Sequence, residues 1–326
     1  MAAFVIRRLL WLPVLLFFIS IITFALGVYG PGDPVQVMVG VHATPETIER
    51  IRHEFGFDQP FYVQYLSYIG NALHGDFGYS LVKYRDQPVG RLIAQALPIT
   101  IQLNIVSILL GVVTGIPLGL IAGLRRDSWI DVIVRAVVIA GISFPIIFLN
   151  PVLTFLFSRA HPIIFEAAHI NFTLGPFLPL TGGYWDGIFS TKIILPALIE
   201  ASGIIAVLTR QMRAGMIEEL GKDYVRTARA KGLRERAVVV RHAMRNALIP
   251  IATILGLMLG GLVAGDFLVE PWFGVPGIGA LAYDSLLSRD YYVIMALTLL
   301  IAITYVLANL LVDVTYGFLD PRIRQS

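Results

Sequence analysis

The chain contains no cysteine, and only 14% of its 326 residues are charged. Without thiols there is no disulfide framework, no thiolate metal site and no thiol nucleophile. The nucleotide-cradling pattern G-x-x-x-x-G-K-[ST] is also missing. Gly221-Lys222 comes nearest, but Asp223 follows where Ser or Thr is required and the upstream glycine is absent, so ATP binding by a P-loop is excluded. Neither H-E-x-x-H nor G-x-S-x-G occurs, and His161 and His169 have no regular ligand spacing, so the chain is read as non-catalytic, with no metal and no bound cofactor. The apolar runs are read as lacking the intramembrane acids or His–Asp sets of proton-coupled carriers and membrane proteases. No internal repeat is visible, which weighs against a self-contained inverted-repeat carrier.

What is abundant is apolar sequence. The chain is 56% hydrophobic with a mean hydropathy of +0.76, and its apolar residues come in long blocks. A bilayer core of about 30 Å needs roughly 20 apolar residues in a helix. Six blocks meet that demand, near Leu9–Val28, Ile99–Leu124, Ile130–Phe157, Ile193–Thr209, Leu248–Phe267 and Tyr291–Thr315. All are expected to be helices, because lipid satisfies no stray backbone groups and nothing alternates as barrel strands would. The first block is longer than a signal-peptide core and reads as a retained span. Arg7 and Arg8, Arg125 and Arg126, the set from Arg210 to Arg245, and Arg322 and Arg324 all flank one side of a six-span arrangement. The positive-inside rule places that side, with both termini, in the cytoplasm. These cations are juxtamembrane with no aromatic stacking platform, so nucleic acid is not an expected partner.

Gly30 to Pro98 is too long for a hairpin and too polar for a span. It opens on the PGDPV turn at Pro31–Val35, and Thr44-Pro45-Glu46-Thr47 reads as a capped helix start. Aromatics cluster from Phe55 to Tyr84 around GDFG at Gly75–Gly78, which suits a cap at the membrane interface or a docking surface. In the second run, Gly111, Gly115, Gly119 and Gly123 permit close helix packing and Pro117 permits a kink. Ser143, Pro145, Asn150 and Pro151 suggest that the third helix is broken. The fifth carries Gly256, Gly260, Gly261 and Gly265, two small-xxx-small repeats that favour tight contact with another helix, including one from a second subunit. Asp266 and Glu270 stand at its outer end, either at a pathway mouth or at headgroup level.

The one strongly charged stretch is Tyr224–Pro250. Good helix formers, Arg226, Ala228, Arg229, Ala230 and Lys231, lead to Gly232, which ends or turns the helix, and a second short helix is expected over Arg234–Ala247. Two short helices meeting at a glycine beside a membrane make a knob that another protein can grip.

The wording RTARAKGL followed by RHAMRNALIP resembles the coupling segment, or EAA loop, of ATP-binding-cassette importer permeases, specifically the B-type subunit of the dipeptide, oligopeptide and nickel branch. RRLLWLPVLL from Arg7, PGDPV, GDFGYS from Gly75, and VEPWFGVPGIGALAYDSLLSRDYYVIMA from Val269 extend the resemblance from first span to last. Arg226-Thr227-Ala228 stands where the general pattern has Glu-Ala-Ala, so no salt bridge of that Glu carries over.

The resemblance implies an all-α, six-span type I importer permease with a mostly helical extracytoplasmic insertion. Residues 1–28 hold the N-terminus and first span, 29–98 the insertion, and 99–326 the core, with a cytoplasmic coupling loop over 212–247. Tyr224, Arg226, Thr227, Ala228, Ala230, Lys231 and Gly232 would engage a cytoplasmic ATPase. The implied partners are two ATP-binding subunits, which carry ATP and Mg, a homologous permease in a heterodimer, and an extracytoplasmic binding protein. The implied cargo is a short peptide, with glutathione, nickel chelates or another small solute as alternatives, moved across the inner membrane of a prokaryote. A carrier or channel without ATPase partners, and a membrane-embedded enzyme, are the competing classes.

Overall fold

The structure is a computed structural model describing residues 2–29, 34–39, 43–158, 161–165, 170–174 and 185–319. Part of the PGDPV turn (Pro31, Gly32 and Asp33), His169, Arg322 and Arg324 lie outside the described residues. In chain order the helices are α1 (Ala2–Tyr29), α2 (Pro34–Val39), α3 (Pro45–Glu54), α4 (Phe61–Leu73), α5 (Val89–Leu124), α6 (Trp129–Ser143), α7 (Ile146–Ser158), α8 (Ile194–Leu220), α9 (Asp223–Ala230), α10 (Glu235–Ala237), α11 (Met244–Ala247), α12 (Ile249–Gly260), α13 (Val269–Phe273), α14 (Ile278–Ser288) and α15 (Tyr291–Leu319). Among the described residues, which are nearly all helical, two antiparallel strands that the sequence reading did not anticipate pair with each other, β1 (His161–Phe165) and β2 (Ile170–Leu174).

Among the described residues, four helical stretches are long and apolar enough to cross a membrane: Leu10–Tyr29, Val89–Leu124, Thr191–Leu220 and Tyr291–Leu310. Two bent pairs, Trp129–Gly141 with Ile146–Phe157 and Glu235–Ala247 with Ile249–Gly260, bring the number to six if each is one span. The break expected in the third span falls at Phe144-Pro145, where proline leaves no N–H to continue the helix. The second span starts ten residues earlier than expected and runs on through Pro98 and Pro117. The fifth helix stops at Gly260, short of Phe267. Asp131 and Glu200 lie inside the third and fourth runs, so the reading that those runs lack acids is wrong. Glu200 accepts a 2.8 Å hydrogen bond from Ser107.

The chain divides into two compact units, with one boundary inside α5 after Thr100. In the first unit (Met1–Thr100, Val263–Phe267 and Pro276–Ser326), α1 runs antiparallel to α15. Gly27 meets Met295 at one end of the pair, and Trp11 and Leu15 share a cleft with Tyr305 and Asn309 toward the other. α3 begins as its sequence predicts, with Thr44 Oγ1 accepting from the Thr47 N–H at 3.3 Å. α4 turns Tyr65 and Tyr68 onto Phe24, Met295 and Leu299, and Tyr65 and Ser20 share a 2.8 Å hydroxyl–hydroxyl bond.

Asp290, buried just before α15, fixes the loop that follows Gly75–Ser80. Its carboxylate accepts from the Ser80 hydroxyl and from the N–H groups of Leu81 and Val82, each at 3.3 Å. Negative charge is also favoured at a helix N-terminus. Next to it, Tyr84 donates to Asp284 at 3.0 Å, and Lys83 pairs with the same carboxylate. Burial, reinforced by that hydrogen bond, pushes the Tyr84 phenol up to about 12, so it stays a donor at neutral pH.

In the second unit (Ile101–Leu262 and Leu268–Val275), α5 and α8 run parallel in close contact. Gly111 faces Ile204, Gly115 faces Ile205 and Leu208, Gly119 faces Thr209 and Met212, and Gly123 faces Arg213 and Met216. A Cβ on Gly119 would lie 2.5 Å from the Thr209 carbonyl oxygen, and the Thr209 hydroxyl already donates to the Gly115 carbonyl at 3.1 Å. These glycines recur every fourth residue and so line one face of α5, which lets the two backbones approach. α6 packs antiparallel on α8. Ser128 caps α6, and Asp131 in its first turn is gripped by Arg213 through two bonds, Nε to Oδ1 at 2.5 Å and Nη2 to Oδ2 at 2.7 Å.

Two predictions follow from these contacts. Replacing Gly119 with leucine forces α5 off α8 and lowers stability by about 1–3 kcal/mol, read as a fall in Tm in detergent. Gly203→Ala, where an added Cβ meets nothing within 4 Å, leaves Tm unchanged or slightly raised. The second concerns His53, whose ring accepts or donates a 2.6 Å bond with Asp58 and whose pKa is raised first by that bond and then by the carboxylate's charge. The pair therefore adds its small stabilisation below the ordinary histidine value and loses it as pH climbs through the raised one. An imidazole NMR titration should show a raised midpoint that falls back in Asp58→Asn.

Candidate functional site

The basic segment is built on the polar end of α8. Leu208, Met212 and Met216 repeat every fourth residue and present one apolar stripe, which Val225 and Ala228 of α9 and Val238, Val239, Ala243, Ala247 and Ile251 cover. In α9 the apolar positions are three apart, so one face is buried while Tyr224, Arg226, Thr227, Arg229 and Ala230 face outward. Asp223 in the first turn suits the positive end of the helix dipole.

The helix closes in a Schellman arrangement. Gly232 donates to the Arg229 carbonyl at 2.9 Å and Leu233 donates to the Ala228 carbonyl at 3.4 Å, with Gly232 left-handed at φ +76°. A Cβ there would meet nothing within 4 Å, so glycine is required by backbone conformation and not by crowding. Immediately beyond, Arg229 reaches Glu235 through Nε at 3.1 Å and Nη2 at 2.7 Å, tying the two arms of the turn. The second arm is not a uniform α-helix: α10 passes into a π-helical stretch, Val238–Ala243, before α11.

A polar network holds the start of α9. Tyr224 donates to Glu219 Oε2 and accepts from Asn246 Nδ2 at 2.9 Å, while Lys222 Nζ sits 2.6 Å from Glu219 Oε1. The hydrogen bond to Glu219 holds the Lys222 ammonium above its ordinary range. Burial, then the same carboxylate, raises the Tyr224 phenol. Both therefore remain protonated at neutral pH and act as donors. Sequence reasoning singled out Tyr224 but missed Glu219, Lys222 and Asn246. Glu219 and Lys222 were visible as an acid and a base three apart at a helix end, whereas Asn246 offered no signal.

The expected residues divide by position. Tyr224, Arg226, Thr227, Ala230, Lys231 and Gly232 form one exposed surface, whereas Ala228 is 6% exposed and faces the α8 stripe. Of the four glycines in the fifth run, Gly256 and Gly260 are on α12. Gly261 caps it, so Gly261 and Gly265 lie in the turn beyond and do not form a helical small-xxx-small face. Glu270 on α13 is buried at 1% exposure, and Asp266 is half-buried, with its carbonyl against Gly279.

Residues 115–325 match the family described as "Binding-protein-dependent transport system inner membrane component", and residues 1–104 match its companion, "Binding-prot-dependent transport system membrane comp, N-term". The Glutathione transport system permease protein GsiC of Escherichia coli (strain K12) is 40% identical over 325 residues, covering 99% of each chain. The protein of the same name from Shigella flexneri serotype 5b is 40% identical with the same coverage, and that of Shigella boydii serotype 4 is 39% identical. Matched from end to end, and with the basic segment folded as an exposed helix closed by a left-handed glycine, the chain belongs to the binding-protein-dependent transport system inner membrane component family, the permease subunits of ATP-binding-cassette importers.

Proposed function

We propose that this permease imports short peptides across the cytoplasmic membrane, and that Tyr224–Gly232 is the element through which ATP hydrolysis drives it. The observation that carries the reading is α9 itself: a short helix with its outer face exposed and basic, and its inner face seated on the same α8 that packs against the glycine face of α5. A push on α9 is thereby applied to a membrane-spanning helix. Two cytoplasmic ATP-binding subunits would receive α9 and its counterpart on a second, homologous permease subunit. ATP favours their closed state, and that preference shifts the permease pair between inward- and outward-open forms. A binding protein supplies the solute at the opposite face. The positive-inside bias supports placing the basic segment and both termini in the cytoplasm.

A second reading of the cargo is favoured by the relatives named as glutathione permeases, which are as long as this chain and 40% identical. Glutathione is itself a tripeptide, so the two readings differ in breadth more than in chemistry.

The complex, co-expressed with ATPase, permease and binding-protein subunits of the same organism and reconstituted, should hydrolyse ATP faster when loaded binding protein is added. Gly232→Ala costs about 1 kcal/mol of turn strain and leaves part of the stimulation. Gly232→Asp, which also projects a carboxylate from the exposed surface, should reduce stimulation at least tenfold while the complex still assembles. Unchanged stimulation in Gly232→Asp, or no co-purifying ATPase, would sink the coupling role. A panel of di- to hexapeptides and glutathione then separates the cargo readings: stimulation by many short peptides supports the broad one, and by glutathione alone the narrow one.

A further inference from the structure

The transport reading leaves one membrane-embedded acid unused. Lys192, just before α8, and Arg210 within it bracket an apolar run, and the rise per helical residue puts Glu200 about 12 Å from the first and about 15 Å from the second. A bilayer core is about 30 Å thick, so Glu200 lies near its middle. An acid at that depth is costly, and one kept there points to a pathway or to a partner for its charge. Asp131, in the third run, has such a partner in Arg213, at the end of α8 next to the basic segment.

The packing around Glu200 holds it in place and leaves it within reach. On α5 the row of small residues that meets α8 runs from Ser107 through Gly111, Gly115 and Gly119 to Gly123, so Ser107 stands one turn beyond the glycines. Its hydroxyl is 1% exposed and is shared between the Leu103 carbonyl at 2.9 Å and Glu200 Oε2 at 2.8 Å. The serine therefore orients the carboxylate without bringing charge to it. About one turn further from the glycines, Asn104 donates at 2.9 Å to the Leu262 carbonyl, in the turn beyond α12. Unwound backbone at membrane depth is tolerated where it is buried in protein or lines a water-filled space. Glu200 is half-buried between the fully buried Ile199 and Ala201. Three residues on, along the same side of α8, Gly203 is exposed, with open space where a Cβ would stand. The acid is thus placed beside open space at mid-depth.

We propose that Glu200 is a solute contact, its carboxylate accepting the ammonium group of the cargo in passage, with Ser107 as its positioning residue. The inference rests on the transport reading, whose cargoes, short peptides and glutathione alike, carry a free amine that is largely ammonium at neutral pH. The test uses the reconstituted complex, read in two ways. The first is ATP hydrolysis stimulated by loaded binding protein. The second is equilibrium dialysis, against the complex alone, of labelled dialanine and glutathione, each beside its N-acetylated analogue. Wild type should bind the free amine about tenfold more tightly than the acetylated form. Glu200→Gln, which keeps the shape and removes the charge, should bind both forms alike, whereas Glu200→Asp should restore most of the preference and Ser107→Ala should keep part of it. A merely structural acid would instead show a lower Tm in Glu200→Gln with the preference intact. No preference for the free amine in wild type, or an equal preference in Glu200→Gln, would overturn the proposal. Hydrolysis that ignores loaded binding protein would count against the transport reading instead, so the two fail separately.

Discussion

At Gly111, Gly115, Gly119 and Gly123, α5 and α8 come so close that a methyl group has no room without a shift in one helix or the other. The second unit depends on this approach. It fixes α8 against α5 along about three turns, so two devices at the far end of α8 start from a firm base: the polar Arg213–Asp131 grip that holds α6, and the apolar Met212–Met216 stripe that seats α9. Two parallel helices in lipid gain little from the hydrophobic effect, because tails are as apolar as leucine. Close packing and the Thr209–Gly115 hydrogen bond are therefore what hold them. The exposed helix α9 is thereby seated on a helix that is itself closely packed.

The first unit solves a different problem, that of a long segment that must be shaped at the membrane surface. Its anchor is one carboxylate. Asp290 accepts three hydrogen bonds from Ser80, Leu81 and Val82, joining two segments 210 residues apart, while Tyr65 and Tyr68 pack α4 onto the antiparallel pair α1 and α15. Ser80 closes the GDFGYS motif and Asp290 lies within SRDYY, while Leu81 and Val82 follow directly after the first motif.

Local signals in the sequence were readable where a residue type has one conformational use. Thr44 before Pro45 announced a capped helix, Gly232 after a run of helix formers announced a helix end, which is left-handed, and Pro145 announced a broken span. Length was less readable. Apolar composition continues past Gly260 although the helix does not, and Pro98 suggested a loop inside what is an unbroken helix. Pairings across the chain carried no local mark at all: Asp290 with Ser80, Tyr224 with Asn246, and β1 with β2. The absence of acids from the spans was a misreading, since Glu200 and Asp131 are there to be read. The case against a lone carrier thus rests on family membership and on the form of α9, and no longer on an uncharged interior.

The π-helical stretch Val238–Ala243 bears on how such chains can vary. A π turn accommodates one residue more than an α turn over the same rise. Removing a single residue there converts the stretch to ordinary helix and leaves the phase of α11 and α12 as it was, whereas the same deletion elsewhere in the arm would rotate every later side chain by about 100°. The arm thus holds one residue of slack between α9 and α12, and it is there that a gain or loss in chain length is least disruptive.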